Sequence, residues 1–204
     1  MSRGSRSKGF TLIEVAVYSS ILLLLLGGVF MVVEGGLRYF RLASAHETVN
    51  QQAVIALSRI RAELANASQS SVVIDTTPQN YILFLSPFGL ESSSDPTDQI
   101  YEYQDNQLVW KKWVCFYRNS SERLVRAELG TAETNDPSVP PIPDFSSEIL
   151  PLPAQTVAHN VEAINFQFFP APAVVRITVE TREDTGSDRT TNMELISSAR
   201  LVNI

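Results

Sequence analysis

The stretch KGFTLIEVAVYSSILLLLLGGVFMVV, residues 8–33, carries one acidic residue, Glu14, near the start of a long apolar segment. No charged side chain follows from Val15 to Val33. At about 1.5 Å per residue, such a helix spans a hydrocarbon core of about 30 Å. A carboxylate inside a spanning helix is costly and points to a function, whereas one at the membrane interface costs little. These residues alone leave both interpretations of Glu14 open.

Three basic residues, Arg3, Arg6 and Lys8, precede the apolar segment. A cleaved secretory signal is disfavoured because the apolar stretch is too long, contains Glu14 and is followed by no A-x-A-like site. A single-span anchor explains the length, and it predicts that the basic end stays in the cytoplasm while the rest lies outside. It does not explain Glu14.

The letters from Lys8 to Val15 resemble the start of the type IV pilin and type II secretion pseudopilin superfamily. The resemblance implies that residues 1–9 are a leader, that a prepilin peptidase cuts between Gly9 and Phe10, and that the new amine of Phe10 is methylated. It also implies that Glu14 pairs with that amine on a neighbouring subunit. A buried ammonium and carboxylate attract each other strongly, whereas either alone is penalised.

The helical pattern continues beyond the apolar segment, and no proline occurs before Pro78. We predict one helix from about Phe10 to Ala67, with a transmembrane or filament-core half at 10–33 and an amphipathic half at 34–70. Its apolar stripe has helical spacing. The stripe comprises Leu42, Ala45, Val49, Ala53, Leu57, Ile60 and Leu64.

Two glycine pairs, Gly27-Gly28 and Gly35-Gly36, interrupt the predicted helix. Each glycine weakens a helix by about 1 kcal/mol relative to alanine. The pairs either allow close packing between helices in the membrane or let the helix bend on assembly. We favour bending for Gly35-Gly36.

Residues 71–204 change to short β-type segments and predict an extracytoplasmic, β-rich head. The predicted segments are 72–74 and 81–86 as a hairpin, 99–104 and 107–118 around Asp105-Asn106, and a final meander of 161–170, 174–183 and 190–203. Residues 122–129 form either a further strand or a short helix, and we favour the strand. Val175, Ile177 and Val179 alternate with polar residues, as in a sheet with one buried and one solvent-exposed face. The predicted fold class is therefore α+β and pilin-like, with a long N-terminal helix packed on an antiparallel sheet.

A Pro-rich segment, residues 131–156, contains six of the eleven prolines. We expect a long, irregular and exposed loop that divides the head into two β-rich parts.

The C-terminal part adds a looser similarity. AHNVEAINFQFF (158–169), AVVRITVET (173–181) and SSARLVNI (197–204) resemble the minor pseudopilin J group and its relatives, the PulJ and PilW types. The chain has one cysteine, Cys115, and cannot form an intramolecular disulfide. Major pilins usually close a C-terminal loop with a disulfide, so the resemblance implies a minor pilin or a pseudopilin.

The sequence offers no catalytic residue, metal site or cofactor motif, and we predict that the protein is not an enzyme. His46 and His159 lack neighbours at ligand spacing and are expected to face solvent. Cys115 lies in the aromatic stretch WVCFY and is expected to be a small core residue. The acidic residues Glu91, Asp95 and Asp98 lack an alternating ligand pattern and are interpreted as a solvated loop rather than a calcium site.

Five basic residues lie close together among two tryptophans, between positions 110 and 126. They are Lys111, Lys112, Arg118, Arg123 and Arg126, with Trp110 and Trp113. A DNA-contacting head is one interpretation. The net charge of −6 disfavours nucleic-acid binding, and we favour an exposed strand edge protected by lysines.

These patterns predict a minor pseudopilin or minor type IV pilin that assembles into a filament, near its tip or at initiation. The expected partners are the prepilin peptidase, other minor and major subunits, and an inner-membrane assembly platform. The expected location is the inner membrane, with one span, a cytoplasmic N-terminus and the head in the periplasm or outside. A surface adhesin or DNA-uptake head on the same anchor is the alternative.

Overall fold

The computed structural model describes residues 11–90, 101–104, 107–138, 140–184 and 190–201. The chain divides into two compact units, residues 1–44 and residues 45–204. One helix, α1 (Leu12–Leu64), contributes residues to both units. The predicted long helix is therefore present, and its end lies at Leu64 rather than at Ala67.

In the first unit, α1 is exposed, and it carries no charged residue from Val15 to Val33. Every described residue from 11 to 41 is exposed, and the helix continues through both glycine pairs. An added Cβ at Gly27, Gly28, Gly35 or Gly36 would meet no atom within 4 Å. By length and composition this helix could cross a membrane.

In the second unit, α1 buries one stripe of small and aliphatic residues. The buried positions are Ala45, Val49, Ala53, Ala56, Leu57, Ile60 and Leu64. From Ala45 onward the predicted stripe is confirmed, and Ala56 joins it because it lies on the same helical face. Two hydrogen bonds also attach this part of the helix to the strands. Thr181 Oγ1 donates to the Val49 carbonyl oxygen at 3.1 Å, and the His159 N–H donates to Gln52 Oε1 at 2.8 Å.

Ten strands follow the helix in the described part of the chain. They are β1 (Val73–Asp75), β2 (Tyr81–Ser86), β3 (Tyr103–Gln104), β4 (Gln107–Leu108), β5 (Trp110–Arg118), β6 (Leu124–Thr134), β7 (Gln155–Ala158), β8 (Val161–Pro170), β9 (Ala173–Asp184) and β10 (Thr190–Arg200). A 3-10 turn, Gln69–Ser71, and a π-helical turn, Phe145–Ile149, complete the described elements.

The described strands form one five-stranded sheet, one three-stranded sheet and a small two-stranded hairpin, all antiparallel. The first has the order β1-β2-β5-β6-β7, and the second has the order β10-β9-β8. The predicted β1–β2 hairpin and the predicted C-terminal meander are both present. The short hairpin of β3 and β4 flanks Asp105-Asn106, which lie outside the described residues.

The five-stranded sheet is buried on both faces, because its central strands alternate between two apolar clusters. On β2, Ile82 and Phe84 contact one cluster, whereas Leu83 and Leu85 contact the other. The first cluster joins the stripe of α1 to both large sheets. The second lies beneath the π-helical turn and includes Phe145 and Ile149. The α+β pilin-like fold is confirmed, with the helix from Ala45 onward packed on antiparallel sheets.

The Pro-rich segment 131–156 is more ordered than predicted. Strand β6 continues to Thr134 and β7 begins at Gln155, so both ends belong to the five-stranded sheet. Between them, Phe145 is 4% exposed and stacks on Tyr81 with ring centroids 4.4 Å apart. Most other described residues between these strands are exposed, whereas Phe145 and Ile149 are buried and cover the second apolar cluster.

Candidate functional site

The helix that carries Glu14 begins with a reciprocal capping arrangement. Thr11 precedes the first helical residue, and its N–H donates to Glu14 Oε2 at 2.8 Å. The Thr11 hydroxyl donates to the same oxygen at 2.9 Å, and the Glu14 N–H lies 3.3 Å from Thr11 Oγ1. This is a capping box, in which two otherwise unpaired N–H groups of the helix start gain acceptors.

The capping box gives Glu14 a role that the sequence interpretation missed. The signal was present, because Thr11 and Glu14 form the T-x-x-E spacing that marks a helix start before an apolar run. The carboxylate therefore has partners within its own chain at the end of an apolar helix. The negative charge of this carboxylate is also stabilised by the positive N-terminal end of the helix dipole.

The predicted processing residues Gly9 and Phe10 lie outside the described residues. The covalent order still constrains the chemistry. Phe10 is bonded to Thr11, whose N–H contacts the Glu14 carboxylate. A cut after Gly9 would thus place the new amine one residue from the group that Glu14 already binds.

Two hydroxyl groups inside the apolar segment are satisfied by the helix itself. Ser19 Oγ donates to the Val15 carbonyl oxygen at 2.8 Å, and Ser20 Oγ donates to that of Ala16 at 2.9 Å. Such bonds one turn back remove the cost of placing a hydroxyl among apolar groups. The segment from Val15 to Val33 therefore presents a surface suited to lipid or to other apolar helices.

The basic stretch on β5 and β6 does not form the exposed edge that we predicted. Strand β5 pairs with β2 on one side and β6 on the other, so it is an interior strand. The side chains of Lys111 and Lys112 are 4% and 3% exposed. Each ammonium is neutralised by a carboxylate, with Lys111 Nζ 2.6 Å from Glu102 and Lys112 Nζ 2.5 Å from Glu128. Buried ion pairs, which sequence spacing does not show, explain the error.

Residues considered for chemistry do not come together. His46 and His159 are both exposed, on α1 and just after β7. Cys115 is fully buried in the second apolar cluster, as predicted, and burial raises the pKa of its thiol. Within the part of the chain that the structure describes, no group of three or more His, Cys, Asp or Glu residues is placed to hold a metal. Glu91, Asp95 and Asp98 lie outside the described residues.

Comparison with known families identifies one feature. A family model described as the prokaryotic N-terminal methylation motif matches residues 4–30, which include part of the predicted leader, the capping box and most of the apolar segment. No curated protein and no solved structure matches the chain. The match covers only the N-terminal segment, and there it supports a type IV pilin-like protein.

Proposed function

We propose that this protein is a minor pseudopilin or a minor type IV pilin, a structural subunit of a filament rather than an enzyme. The observation that carries the proposal is the match to the methylation motif over residues 4–30. There Glu14 lies in the first turn of a helix that is exposed as far as Arg41 and carries no charge from Val15 to Val33. An exposed apolar helix is unstable in water and needs either lipid or other apolar helices around it.

Processing would occur between Gly9 and Phe10. Removal of residues 1–9 takes away Arg3, Arg6 and Lys8 and leaves an ammonium group on Phe10. That ammonium, methylated by the prepilin peptidase, would pair with the Glu14 carboxylate of a neighbouring subunit. In the lone subunit, the hydrogen bonds from Thr11 partly offset the cost of placing the Glu14 carboxylate among apolar groups. On assembly, an ion pair with the neighbouring Phe10 ammonium would replace these hydrogen bonds.

The minor role is proposed from the C-terminal part of the chain. Similarity of residues 158–169, 173–181 and 197–204 to the PulJ and PilW types supports it, as does the single, buried Cys115. Such a subunit would act near the filament tip or in initiation, with other minor and major subunits and the inner-membrane platform as partners. The buried ion pairs of Lys111 and Lys112 remove the feature that favoured a DNA-contacting head.

The membrane location follows the same logic. Before assembly, the chain would be a single-span protein of the inner membrane with the basic leader in the cytoplasm. The head would lie in the periplasm or outside, and the apolar helix would leave the bilayer for the filament core on assembly.

Mass spectrometry of the mature N-terminus, combined with isolation of sheared filaments, tests the proposal. The chain from its native host is expected to begin at Phe10, to carry one added methyl group and to co-purify with filaments. A Gly9→Val variant is expected to keep residues 1–9 and to remain in the membrane fraction. A wild-type chain that retains its leader, or that is processed but absent from filaments, would contradict the proposal.

A further inference from the structure

Strand β10 is a long, regular edge of the three-stranded sheet. Among the described strands it has one neighbour, β9, and the register between them runs without a bulge from Thr190 opposite Asp184 to Arg200 opposite Val174. It contains no proline and no lysine. Natural edge strands are usually blunted by such residues or by bulges, because an open edge can pair with another chain.

A groove with a mixed apolar and polar lining lies on the outer face of the same sheet, next to this edge. Its volume is about 390 Å³. Apolar side chains that include Phe169, Val174 and Ile196 line it together with Arg176, Ser197 and Ser198. Ile196 is 61% exposed, whereas on the opposite face of the sheet Ile177 is fully buried. An exposed isoleucine on an edge strand beside an exposed phenylalanine offers apolar area to an added strand.

Two guanidinium groups flank the groove. Arg176 stacks over the Phe169 ring, with Cζ 5.0 Å from the ring centroid. Arg200 shares that face, because it lies opposite Val174 in the register. Neither arginine has a carboxylate at ion-pair distance among residues 11–90, 101–104, 107–138, 140–184 and 190–201. Among the described residues, this end of the sheet therefore presents two cationic side chains in a chain of net charge −6.

The charge pattern along β10 restricts which strand could be added. The outer face of β10 carries Arg200, Ile196 and Glu194 in that order from the C-terminal end of the strand, with Ser198 between the first two. A complementary strand has an acidic residue opposite Arg200, an apolar residue opposite Ile196 and a basic residue opposite Glu194. A second copy in the register that pairs Glu194 with Arg200 would put Ser198 opposite Ile196 and leave the isoleucine uncovered.

We propose that β10 and the groove beside it receive an extended strand from a different filament subunit. Backbone hydrogen bonds to the open edge supply affinity, while the acidic and apolar side chains of the added strand supply specificity. The inference rests on the proposed function for the identity of the partner. It deepens that function, because it assigns the head-to-head contact to one edge and one face of the head.

Site-specific photo-crosslinking in cells that assemble the native filament tests this contact. The crosslinker p-benzoylphenylalanine replaces Ile196 in the full chain, and the control replaces Ile142, which is equally exposed at 62%. We expect a crosslink at position 196, absent at 142, to a strand of another protein that carries an N-terminal methylation motif. The absence of that crosslink, equal crosslinking at both positions, or capture of a second copy or of nucleic acid would overturn the proposal.

Charge reversal and hydrogen exchange distinguish strand addition from a subunit that lies near position 196 without pairing with β10. Arg200→Glu is expected to lower the yield at position 196 at least tenfold, whereas Arg61→Glu, an exposed arginine on α1, leaves it unchanged. In the Arg200→Glu chain, a basic residue in place of the acidic residue that the captured strand presents to position 200 should restore the crosslink yield. In filaments, the backbone amide hydrogens of β10 that point away from β9 should exchange more slowly than in the isolated chain. Unchanged exchange rates would contradict strand addition.

The two proposals fail in different ways. If the chain is absent from filaments, the proposed function is wrong. If it is present in filaments but position 196 gives no subunit crosslink, the proposed function stands and the docking edge does not.

Discussion

Glu63 Oε1 lies 2.6 Å from Arg126 Nε, and this contact joins α1 to β6 within the head unit. Arg59 approaches the same Glu63 oxygen at 2.8 Å, while Arg126 also contacts Glu128 at 2.5 Å. Lys112 contacts Glu128 from β5. The five side chains alternate in sign from the helix across two strands, so each carboxylate lies between two cations. Such an arrangement fixes the position of the helix end on the sheet.

Replacement of Arg126 by methionine is expected to destabilise the head strongly. The Arg126 side chain is 4% exposed, and its loss leaves two carboxylates short of one cation each. Breaking a buried pair from one side costs about 3–5 kcal/mol, and we expect the lower end because Arg59 and Lys112 remain. Urea unfolding of the full chain in detergent, followed by tryptophan fluorescence, measures the free energy of unfolding.

Arg182→Met is the matched control for that experiment. Arg182 pairs with Glu162 at 3.5 Å, but both side chains are more than a third exposed, at 51% and 38%. Exposed ion pairs contribute about 0–1 kcal/mol. Equal losses for Arg126→Met and Arg182→Met would show that burial of the network does not determine its contribution.

Burial of Cys115 predicts a specific dependence of stability on pH. Its pKa lies above the ordinary value of 9.0 because the thiolate would be desolvated in the second apolar cluster. The unfolded thiol ionises first as pH rises, so this contribution is fully present below about pH 9 and is lost above it. The free energy of unfolding of wild type should fall with pH by up to about 1.4 kcal/mol per unit more than that of Cys115→Ala.

The comparison between the two chains isolates the thiol. Burial also raises the pKa values of Tyr81 and Tyr117, and both tyrosines are present in wild type and in Cys115→Ala. Burial, the main cause of both tyrosine shifts, is therefore common to the two curves, whereas the smaller coulombic effect of Cys115 on the tyrosine pKa values is lost with the thiol. Urea titrations between pH 8 and pH 9.5 measure the difference, and parallel curves would contradict the assignment.

Alanine at Gly35 and Gly36 separates the two interpretations of the glycine pair. Space around both positions is open in the isolated chain, so the double variant is expected to strengthen the helix there by about 1 kcal/mol per substitution. If assembly requires bending, the processed variant should accumulate in the membrane and be depleted from filaments. The measured quantity is the ratio of the chain in filament and membrane fractions. Alanine at Gly27 and Gly28 tests close packing in the same assay.

Local patterns in the sequence predicted the elements that depend on periodicity. The stripe containing Val49 and Leu64 and the alternation around Ile177 reflect burial of one face, which fixes the spacing of apolar residues. The basic stretch misled because two consecutive lysines suggest solvent. Their burial depends on Glu102 and Glu128, which lie elsewhere in the chain and are brought close by strand pairing. Long-range ion pairs leave no periodic trace.

Substitution of Glu14 separates helix capping from charge pairing. Glutamine keeps an acceptor for the Thr11 N–H and hydroxyl, since either glutamate or glutamine completes a capping box. Alanine removes both the acceptor and the charge. If pairing with the Phe10 ammonium drives assembly, Glu14→Gln and Glu14→Ala should be depleted from filaments to a similar extent. The amount of each chain in sheared filaments, relative to its amount in membranes, is the measurement.

Thr11→Val supplies the matching control, because it removes the capping hydroxyl and leaves the Glu14 carboxylate and the Thr11 backbone N–H position in place. The charge-pairing hypothesis predicts that this variant enters filaments nearly as well as wild type, and that all the variants are still cut after Gly9. If Glu14→Gln assembles like wild type while Glu14→Ala and Thr11→Val fail, the carboxylate acts by holding the helix start. The proposed pairing of Glu14 with the Phe10 ammonium of a neighbouring subunit would then be wrong, because a neutral amide cannot attract an ammonium as a carboxylate does.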